Sequence, residues 1–251
     1  MDLGLAGKRV LVTGSSSGIG LGIAQGFHQV GCSVVSNGRN ESRLMSSIAG
    51  RKDWFGVACD VTDQVQAANL VQRSVNFMGG IDILVCNVGS GKSMPPGQES
   101  LSDWQKSLTV NLFSATNMVE ASVSELRKTE GVIICISSIC GLECILGAPV
   151  TYSAAKAALN AYIRGISVPL GADGIRINGI APGNILFEGS VWENKIKENS
   201  DSVAKMLKKN VPLNRLGDVS DVVNLALWLS SPLSNFNTGS IYVCDGGQTR
   251  S

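Results

Sequence analysis

A glycine-rich turn directly after a short apolar run constrains this chain more than any other stretch. The run Arg9–Val12 predicts a buried strand. Residues 13–20, Thr-Gly-Ser-Ser-Ser-Gly-Ile-Gly, then open an amphipathic helix that we expect to end near Val30. A strand, a glycine turn and a helix form the first unit of a dinucleotide-binding fold, in which a pyrophosphate lies at the helix N-terminus. The contacts expected in this turn are Gly14, Ser16, Ser17, Gly18, Ile19 and Gly20.

Apolar runs alternate with helical segments along the whole chain. The predicted strands cover residues 9–12, 33–36, 55–59, 81–86, 132–136, 175–180 and 240–243. This alternation predicts an α/β protein with a single-domain Rossmann fold over residues 1–251, since no linker or repeat interrupts it. We expect a doubly wound parallel seven-stranded sheet with helices on both faces. Residues 186–212 are polar and lack strong periodicity, which is typical of a mobile lid over a substrate.

Capping residues and prolines predict where the helices begin and end. Thr62 is expected to cap a helix that runs to Met78, and a long helical region covers residues 101–128. A loop covers residues 139–150, and the next helix starts near residue 151. Pro169 is expected to end or kink that helix.

The composition excludes several classes of function. A net charge of +1 with 16% charged residues argues against a nucleic-acid or anionic membrane partner. No apolar run reaches the ~18 residues of a membrane span. The seven cysteines lie mostly in or beside apolar runs without paired spacing, which predicts reduced thiols and a cytoplasmic location. His28 is the single histidine and lies on a predicted helix, so we expect no metal site and no Ser-His-Asp mechanism.

Polar or glycine residues follow the predicted strands where they end. The carboxyl ends of parallel strands meet at one edge of a sheet, where such folds bind their ligands. These residues therefore predict a single crevice. They are Gly14, Arg39, Asp60, Asn87, Ser138 and Pro182.

The end of the second strand favours one cofactor over another. In NAD sites an acidic residue near this point binds the adenosine ribose. Here the position is Gly38, and Arg39 follows it. A guanidinium suits a 2′-phosphate, so Arg39 favours NADP(H) over NAD(H), although the same residue could simply face solvent. The glycine turn offers no basic residue as a second phosphate ligand.

Gly91-Lys92-Ser93 imitates the end of a phosphate-binding P-loop. The first glycine of that motif would fall on Cys86, and no helix follows at once. We therefore reject an ATPase.

Tyr152 and Lys156 are four residues apart on an alanine-rich segment that predicts a helix. This spacing places them on one helix face. A neighbouring ammonium should lower the pKa of a phenol from its usual value of about 10. Taken alone, the pair is typical of an amphipathic helix with a surface lysine; at the predicted crevice it is a candidate acid/base centre.

In these motifs the chain resembles the short-chain dehydrogenase/reductase family over essentially its full length. Each motif is common, but their order and spacing together are specific. The motifs are Thr13-Gly14-x-x-x-Gly18-Ile19-Gly20, Asp60-Val61, Asn87-x-Gly89, Asn111, Ser138, Tyr152-x-x-x-Lys156, Pro182-Gly183 and Asp245-Gly246-Gly247.

The resemblance implies hydride transfer between NADP(H) and a carbonyl or secondary alcohol. By it, Tyr152 donates the proton in reduction, and Lys156 lowers the Tyr152 pKa and binds the nicotinamide ribose. Ser138 would hold the substrate oxygen, and Asn111 would anchor a water that relays protons. The implied cofactor contacts outside the glycine turn are Asp60, Val61, Asn87, Gly89, Tyr152, Lys156, Pro182, Gly183 and Ile185.

Two departures from the family pattern concern the site. Phe187 stands where the family has a threonine that bonds the carboxamide of the nicotinamide. The loop between Ser138 and Tyr152 is one residue longer than in bacterial ketoacyl reductases, so Ser137 is a second candidate for the substrate contact.

The substrate stays open between two chemical classes, a 3-oxoacyl thioester on a carrier protein and a small polar ketone or sugar-like alcohol. Arg127, Lys128 and Arg164 could form a basic patch for a carrier protein, but Val132 stands where those reductases tend to have arginine. The resemblance also implies a homotetramer or homodimer. The alternative from another class is a catalytically silent NADP-binding sensor or scaffold of the same fold.

Overall fold

The centre of the protein is a parallel sheet built from the apolar runs of the sequence. Its strands are β1 (Arg9–Val12), β2 (Ser33–Gly38), β3 (Trp54–Ala58), β4 (Ile83–Cys86), β5 (Val132–Ile136), β6 (Arg176–Pro182) and β9 (Ile241–Cys244). In the computed structural model, which describes residues 2–250, these strands follow the order β3-β2-β1-β4-β5-β6-β9. All neighbouring strands pair in parallel. The predicted parallel seven-stranded sheet is confirmed.

Helices cover both faces of the sheet, as predicted. They are α1 (Gly18–Gln29), α2 (Glu41–Ile48), α3 (Gln64–Met78), α4 (Leu101–Leu108), α5 (Ser114–Arg127), α6 (Val150–Ala172), α7 (Val191–Asn210) and α8 (Val219–Ser230). Because side chains alternate along a strand, Val10 and Val12 pack into one core cluster with Ile23 of α1. Leu11 packs into a second cluster with Met118 of α5.

Three segments differ from the sequence-based expectation. Helix α2 occupies a stretch without a predicted element. A pair of short strands, β7 (Ile185–Leu186) and β8 (Gly217–Asp218), forms a separate two-stranded sheet at the two ends of the predicted lid. The long helical region divides into α4, a π-helical turn at Thr109–Phe113, and α5.

Two helix boundaries were predicted wrongly. The cap of α3 is Asp63, whose carboxylate accepts a hydrogen bond from the Gln66 amide at 2.9 Å. Thr62 cannot serve because its hydroxyl donates to Asp60 at 2.8 Å. Helix α6 does not end at Pro169 but continues to Ala172. Since Pro169 lies in the last turn, it removes one backbone donor without interrupting the helix body.

The predicted lid contains α7, which bends at Asn199, where φ is −161° and ψ is 88°. The Asn199 carboxamide accepts a hydrogen bond from the Ser202 amide at 2.9 Å and so caps the second half of the helix. Val203 is its buried residue, and the other side chains are exposed or half-buried. Movement of this segment stays a prediction.

Within residues 2–250, no helix has both the length and the apolar character that a membrane span requires. The same residues hold no cluster of three metal-ligating side chains. The cysteines are free thiols, of which Cys144 is exposed.

Candidate active site

A cavity of about 650 Å³ opens at the carboxyl ends of β1, β2 and β4. We call it the main cavity. Loop 90–98, which follows β4, contributes Ser90, Lys92, Ser93 and Met94 to its wall. The main cavity brings together many of the predicted site residues, namely Gly14, Ser16, Ser17, Arg39, Asp60, Val61, Asn87, Gly89 and Asn111.

Glycine is required in the turn for both conformation and space. Gly14 and Gly18 adopt positive φ angles of 61° and 57°. A Cβ atom on Gly20 would lie 2.3 Å from Asn87 Nδ2 and 2.5 Å from the Gly14 carbonyl oxygen. The Asn87 carboxamide donates to the carbonyls of Thr13 and Gly14 at 3.1 and 3.0 Å. The end of β4 therefore holds the turn closely against the start of α1.

The N-terminus of α1 can accept an anion. Its N-cap residue, Ser17, makes no side-chain capping hydrogen bond. The Ser17 hydroxyl therefore does not occupy the amides of the first turn. These amides and the helix dipole favour a negatively charged group. These features fit the pyrophosphate of a dinucleotide: the glycine turn leaves space that a Cβ atom would fill, and the α1 amides are not capped by Ser17.

Arg39 and Asp60 lie together in the main cavity, where they follow the ends of β2 and β3. The Arg39 guanidinium is 3.8 Å from the Asp60 carboxylate, and its side chain is 77% exposed. Thr62 holds that carboxylate through its amide at 3.0 Å and its hydroxyl at 2.8 Å. Arg39 is therefore free to reorient while Asp60 is fixed.

Asn37 is a site residue that the sequence analysis missed. It lies in β2, is 1% exposed, and lines the main cavity. Its carboxamide donates to the carbonyls of Val57 and Cys59, each at 3.1 Å, and accepts from the Gly14 amide at 3.4 Å. A carboxamide directly after the apolar pair Val34-Val35 and Ser36 was the available signal, because a buried polar residue needs several partners.

Ser138, Tyr152 and Lys156 lie together at the end of β5, where Ser138 and Lys156 are buried and Tyr152 is half-buried. The Lys156 side chain is 2% exposed, and its ammonium donates to the Ile136 carbonyl at 2.7 Å. The ammonium lies 5.9 Å from the centre of the Tyr152 ring. Burial raises the pKa of the Tyr152 hydroxyl, and the neighbouring Ser138 side chain opposes that rise.

Ser137 occupies a different environment from Ser138. Its hydroxyl donates to Asn160 Oδ1 at 2.6 Å. Ser138 begins a short 3-10 turn, and its hydroxyl accepts from the Cys140 amide at 3.2 Å. Of the two candidates, Ser138 is therefore the one that neighbours Tyr152.

Burial controls the proton affinities of the cluster. It raises the pKa of Tyr152 to about 12, against the opposing effect of the Ser138 side chain. Burial also lowers the pKa of Lys156 to about 8. The expectation that Lys156 lowers the Tyr152 pKa is therefore wrong for this structure. The ammonium donates to the Ile136 carbonyl, and desolvation of the phenolate outweighs its attraction.

Asn111 connects this cluster to the main cavity. It lies in the π-helical turn, is 1% exposed, and accepts a hydrogen bond from the Ser90 amide at 2.8 Å. A Cβ atom on Gly89 would lie 3.0 Å from Asn111 Oδ1 and 3.2 Å from Lys156 Nζ. Asn111 and Lys156 thus flank Gly89, which lines the main cavity. Single-turn π-bulges of this kind are frequent at functional sites.

None of the cofactor contacts predicted at the end of β6 and after it, Pro182, Gly183 and Ile185, lines the main cavity. Pro182 ends β6, and Gly183 packs closely on Asp245. Ile185 instead lines a second cavity of about 520 Å³ beside β8 and β9. Phe187 does reach the glycine turn, because a Cβ atom on Gly18 would lie 2.8 Å from its ring. An aromatic ring therefore stands where the family resemblance placed a hydroxyl.

A glycine turn at a parallel sheet, joined through Asn111 to a Ser-Tyr-Lys cluster, defines a Rossmann-fold oxidoreductase that uses a nicotinamide dinucleotide. Residues 14–249 match the family model described as enoyl-(acyl carrier protein) reductase. The chain belongs to the short-chain dehydrogenase/reductase family.

Relatives of this chain differ in substrate and cofactor. The chain is 35% identical to a 3-oxoacyl-[acyl-carrier-protein] reductase of Chlamydia pneumoniae, over 99% of this chain and 100% of the relative. L-Sorbose reductase from Gluconobacter frateurii, solved with NADPH and L-sorbose, superimposes with a TM-score of 0.93 at 30% identity, and the match covers both chains completely. A 7 alpha-hydroxysteroid dehydrogenase, solved with NADH and 7-oxo glycochenodeoxycholic acid, gives 0.90 at 29% identity over 100% of this chain and 97% of that one.

Proposed function

We propose that this protein is an NADP(H)-dependent reductase or dehydrogenase of a small polar ketone or its secondary alcohol. The observation that carries the proposal is the Ser138–Tyr152–Lys156 cluster, which Asn111 and Gly89 join to the main cavity. The nicotinamide supplies the hydride when it is bound.

Each residue of the cluster has a separate task in carbonyl reduction. Tyr152 keeps its proton at neutral pH, since its ordinary pKa of 10.0 lies well above 7 and burial raises it further, and it donates that proton to the oxygen on which charge develops. Ser138 holds the same oxygen by a hydrogen bond. Lys156 binds the nicotinamide ribose. Asn111 accepts a hydrogen bond from the Ser90 amide and so fixes the position of Ser90.

The remaining contacts position the dinucleotide. The amides of the glycine turn bind the pyrophosphate, and Asp60 and Val61 contact the adenine. Asn87 and Gly89 form the floor. On the other side, Phe187 packs on Gly18 where the family has the carboxamide ligand. The cofactor contacts of Pro182, Gly183 and Ile185 stay predictions.

Arg39 is the reason for favouring NADP(H). Its exposed guanidinium lies at the end of β2, where it can bind a 2′-phosphate with two parallel donors. The bound NADPH of L-sorbose reductase supports this choice, and the NADH of the hydroxysteroid dehydrogenase is the competing precedent.

Two of the three basic residues that could bind a carrier protein are paired with acidic residues. Arg127 pairs with Asp173 at 2.7 Å, and Lys128 pairs with Glu125 at 2.7 Å. Both lie just before β5, so they are at the edge of the sheet opposite the main cavity. A small polar carbonyl compound therefore fits better than a carrier-bound thioester, in keeping with the sorbose bound to the structural relative.

The test is oxidation of NADPH with a panel of small ketones, including L-sorbose. We expect Tyr152→Phe to lower kcat by roughly 10²- to 10⁴-fold, because it removes the general acid. Binding of NADPH, followed by fluorescence, should persist. Tyr162→Phe removes a hydroxyl on the same helix outside the cluster and should leave the rate unchanged. Equal rates for wild type and Tyr152→Phe would exclude the assigned role.

No observation favours the silent sensor or scaffold, because the four side chains that chemistry requires are present and connected. The homotetramer or homodimer and the cytoplasmic location stay predictions.

A further inference from the structure

We infer that Lys92, on the loop after β4, binds the pyrophosphate of the dinucleotide. This inference rests on the proposed cofactor binding and adds a residue to it. Lys92 lines the main cavity together with Gly14, Ser16 and Ser17.

Loop 90–98 is fixed at two points, one on each side of Lys92. The Ser90 backbone exchanges two hydrogen bonds with the Asn111 carboxamide, at 2.8 and 3.1 Å. The Ser93 hydroxyl hydrogen-bonds to the hydroxyl of Thr151, which is fully buried beside Tyr152. Within the loop, the Lys92 amide donates to the Ser90 hydroxyl at 3.2 Å. These contacts hold the backbone of Lys92 in place before any ligand binds.

Of the three basic side chains that line the main cavity, two have an acidic neighbour and, among the residues that the structure describes, Lys92 does not. Arg39 lies 3.8 Å from Asp60. Lys106 follows Asp103 on α4, and its charge helps to lower the pKa of that carboxyl. Lys92 also lines the cavity, and within residues 2–250 no acidic group forms an ion pair with its ammonium.

The strand order selects the pyrophosphate rather than the 2′-phosphate. In the sheet, β1 lies between β2 and β4. The glycine turn follows β1, so it lies between Arg39, which follows β2, and Lys92, which follows β4. The anion nearest to the loop after β4 is therefore the one at the start of α1. That turn has no basic side chain of its own, so Lys92 would add the full positive charge that the amides alone do not offer the pyrophosphate.

The test is the affinity of Lys92→Met for three ligands, measured by isothermal titration calorimetry. NADPH and NADH both carry the pyrophosphate, and adenosine 2′-monophosphate carries only the 2′-phosphate. We expect the Kd of both dinucleotides to rise by roughly fivefold, the size of an exposed charge contact. The affinity for adenosine 2′-monophosphate should stay the same. The difference between the dinucleotide Kd values of wild type and Lys92→Met should shrink at high salt.

Three further variants make the result specific. Lys92→Arg keeps the charge and should restore binding of both dinucleotides. Lys128→Met removes the same charge on α5 outside the cavity and should have no effect. Arg39→Ala should weaken NADPH and adenosine 2′-monophosphate but not NADH.

Unchanged dinucleotide affinities in Lys92→Met would overturn the inference and leave the proposed function intact. The same holds if the variant raises only the KM of a carbonyl substrate, which would place Lys92 at the substrate. If wild type binds neither dinucleotide, the proposed function itself fails.

Discussion

At the scale of single residues, burial sets the proton affinities of Tyr152 and Lys156, the two groups to which we assign the chemistry. Lys156 is almost completely buried, and desolvation disfavours its charged form. The same effect acts on Tyr152 in the opposite direction, because its charged form is the deprotonated one. Both groups are therefore closer to neutral than they would be in water.

The buried lysine should make stability depend on pH. Below its folded pKa of about 8, Lys156 is charged in both states and the full desolvation cost is present. Between that value and the ordinary 10.5, the folded protein binds fewer protons than the unfolded chain. The contribution of Lys156 to stability therefore rises with pH in this window. The Cys32 and Cys59 thiols, whose pKa values burial raises, act in the opposite sense, equally in wild type and in a Lys156 variant. Tyr152 acts in the same sense as these thiols, but only above its ordinary pKa of 10.0.

We expect Lys156→Met to remove this rise. Between about pH 7 and about pH 9.5, the free energy of unfolding of wild type should gain roughly 1–2 kcal/mol relative to the variant. Urea denaturation at the two pH values measures the difference. Lys205→Met, a change at an exposed lysine of α7, should show no such change. A wild-type-minus-variant difference that is the same at both pH values would contradict the burial argument.

The sequence predicted which residues form the site but not their proton affinities. Spacing placed Tyr152 and Lys156 on one helix face, which the structure confirms. Whether that face meets water or a protein interior depends on β5 and on the loop after it, far away in sequence. Asn37 was missed for the same reason, since its partners lie on β3 and in the glycine turn.

At the scale of elements, α1 and α8 pack so closely that glycine is needed between them. A Cβ atom on Gly22 would lie 2.1 Å from Val219 Cγ1, and one on Gly26 would lie 2.4 Å from Val223 Cγ1. These contacts join residues about 200 positions apart, so the sequence pattern of α1 alone could not predict them. They fix the helix whose N-terminus faces the main cavity.

Two opposing effects meet in Gly22→Ala. Alanine favours a helix over glycine by ~1 kcal/mol, whereas overpacking costs about 1–3 kcal/mol. We expect a net loss of stability in wild type, because Val219 is short and stiff. In a Val219→Ala background the clash is absent, so the same change should stabilise the protein. Chemical denaturation of the four proteins measures both signs, and an effect of the same sign in both backgrounds would contradict close packing as the cause.

At the scale of the whole molecule, alternation of strands and helices was enough to predict the architecture. Buried parallel strands are continuous apolar runs, and each is followed by a crossover that must cover one face. Helix α2 escaped detection because it is short and polar, with Leu44 and Ile48 as its buried residues. Strands β7 and β8 have two residues each, too few for a periodic pattern.

The segment between β7 and β8 differs from the rest of the molecule in how little it buries. Helix α7 contributes Val203 to the interior and bends at Asn199, whereas α6 buries residues along its whole length. Local opening takes least free energy where few apolar contacts are lost. Phe187, at the start of this segment, packs on Gly18, so the segment is connected to the glycine turn.

Hydrogen exchange should therefore report α7 as less protected than α6. We expect amides of residues 191–210 to exchange roughly a hundredfold faster than those of residues 150–172. If the segment closes over a bound substrate, NADPH together with an unreactive ketone analogue should slow exchange in 191–210, and more than NADPH alone. Peptides from β5, in the centre of the sheet, serve as the control because ligand should not alter them. Equal protection of α6 and α7, or no response of α7 to the ternary mixture, would show that this segment is a fixed wall and not a lid. The substrate would then be selected by the rigid loops after β4 and β5.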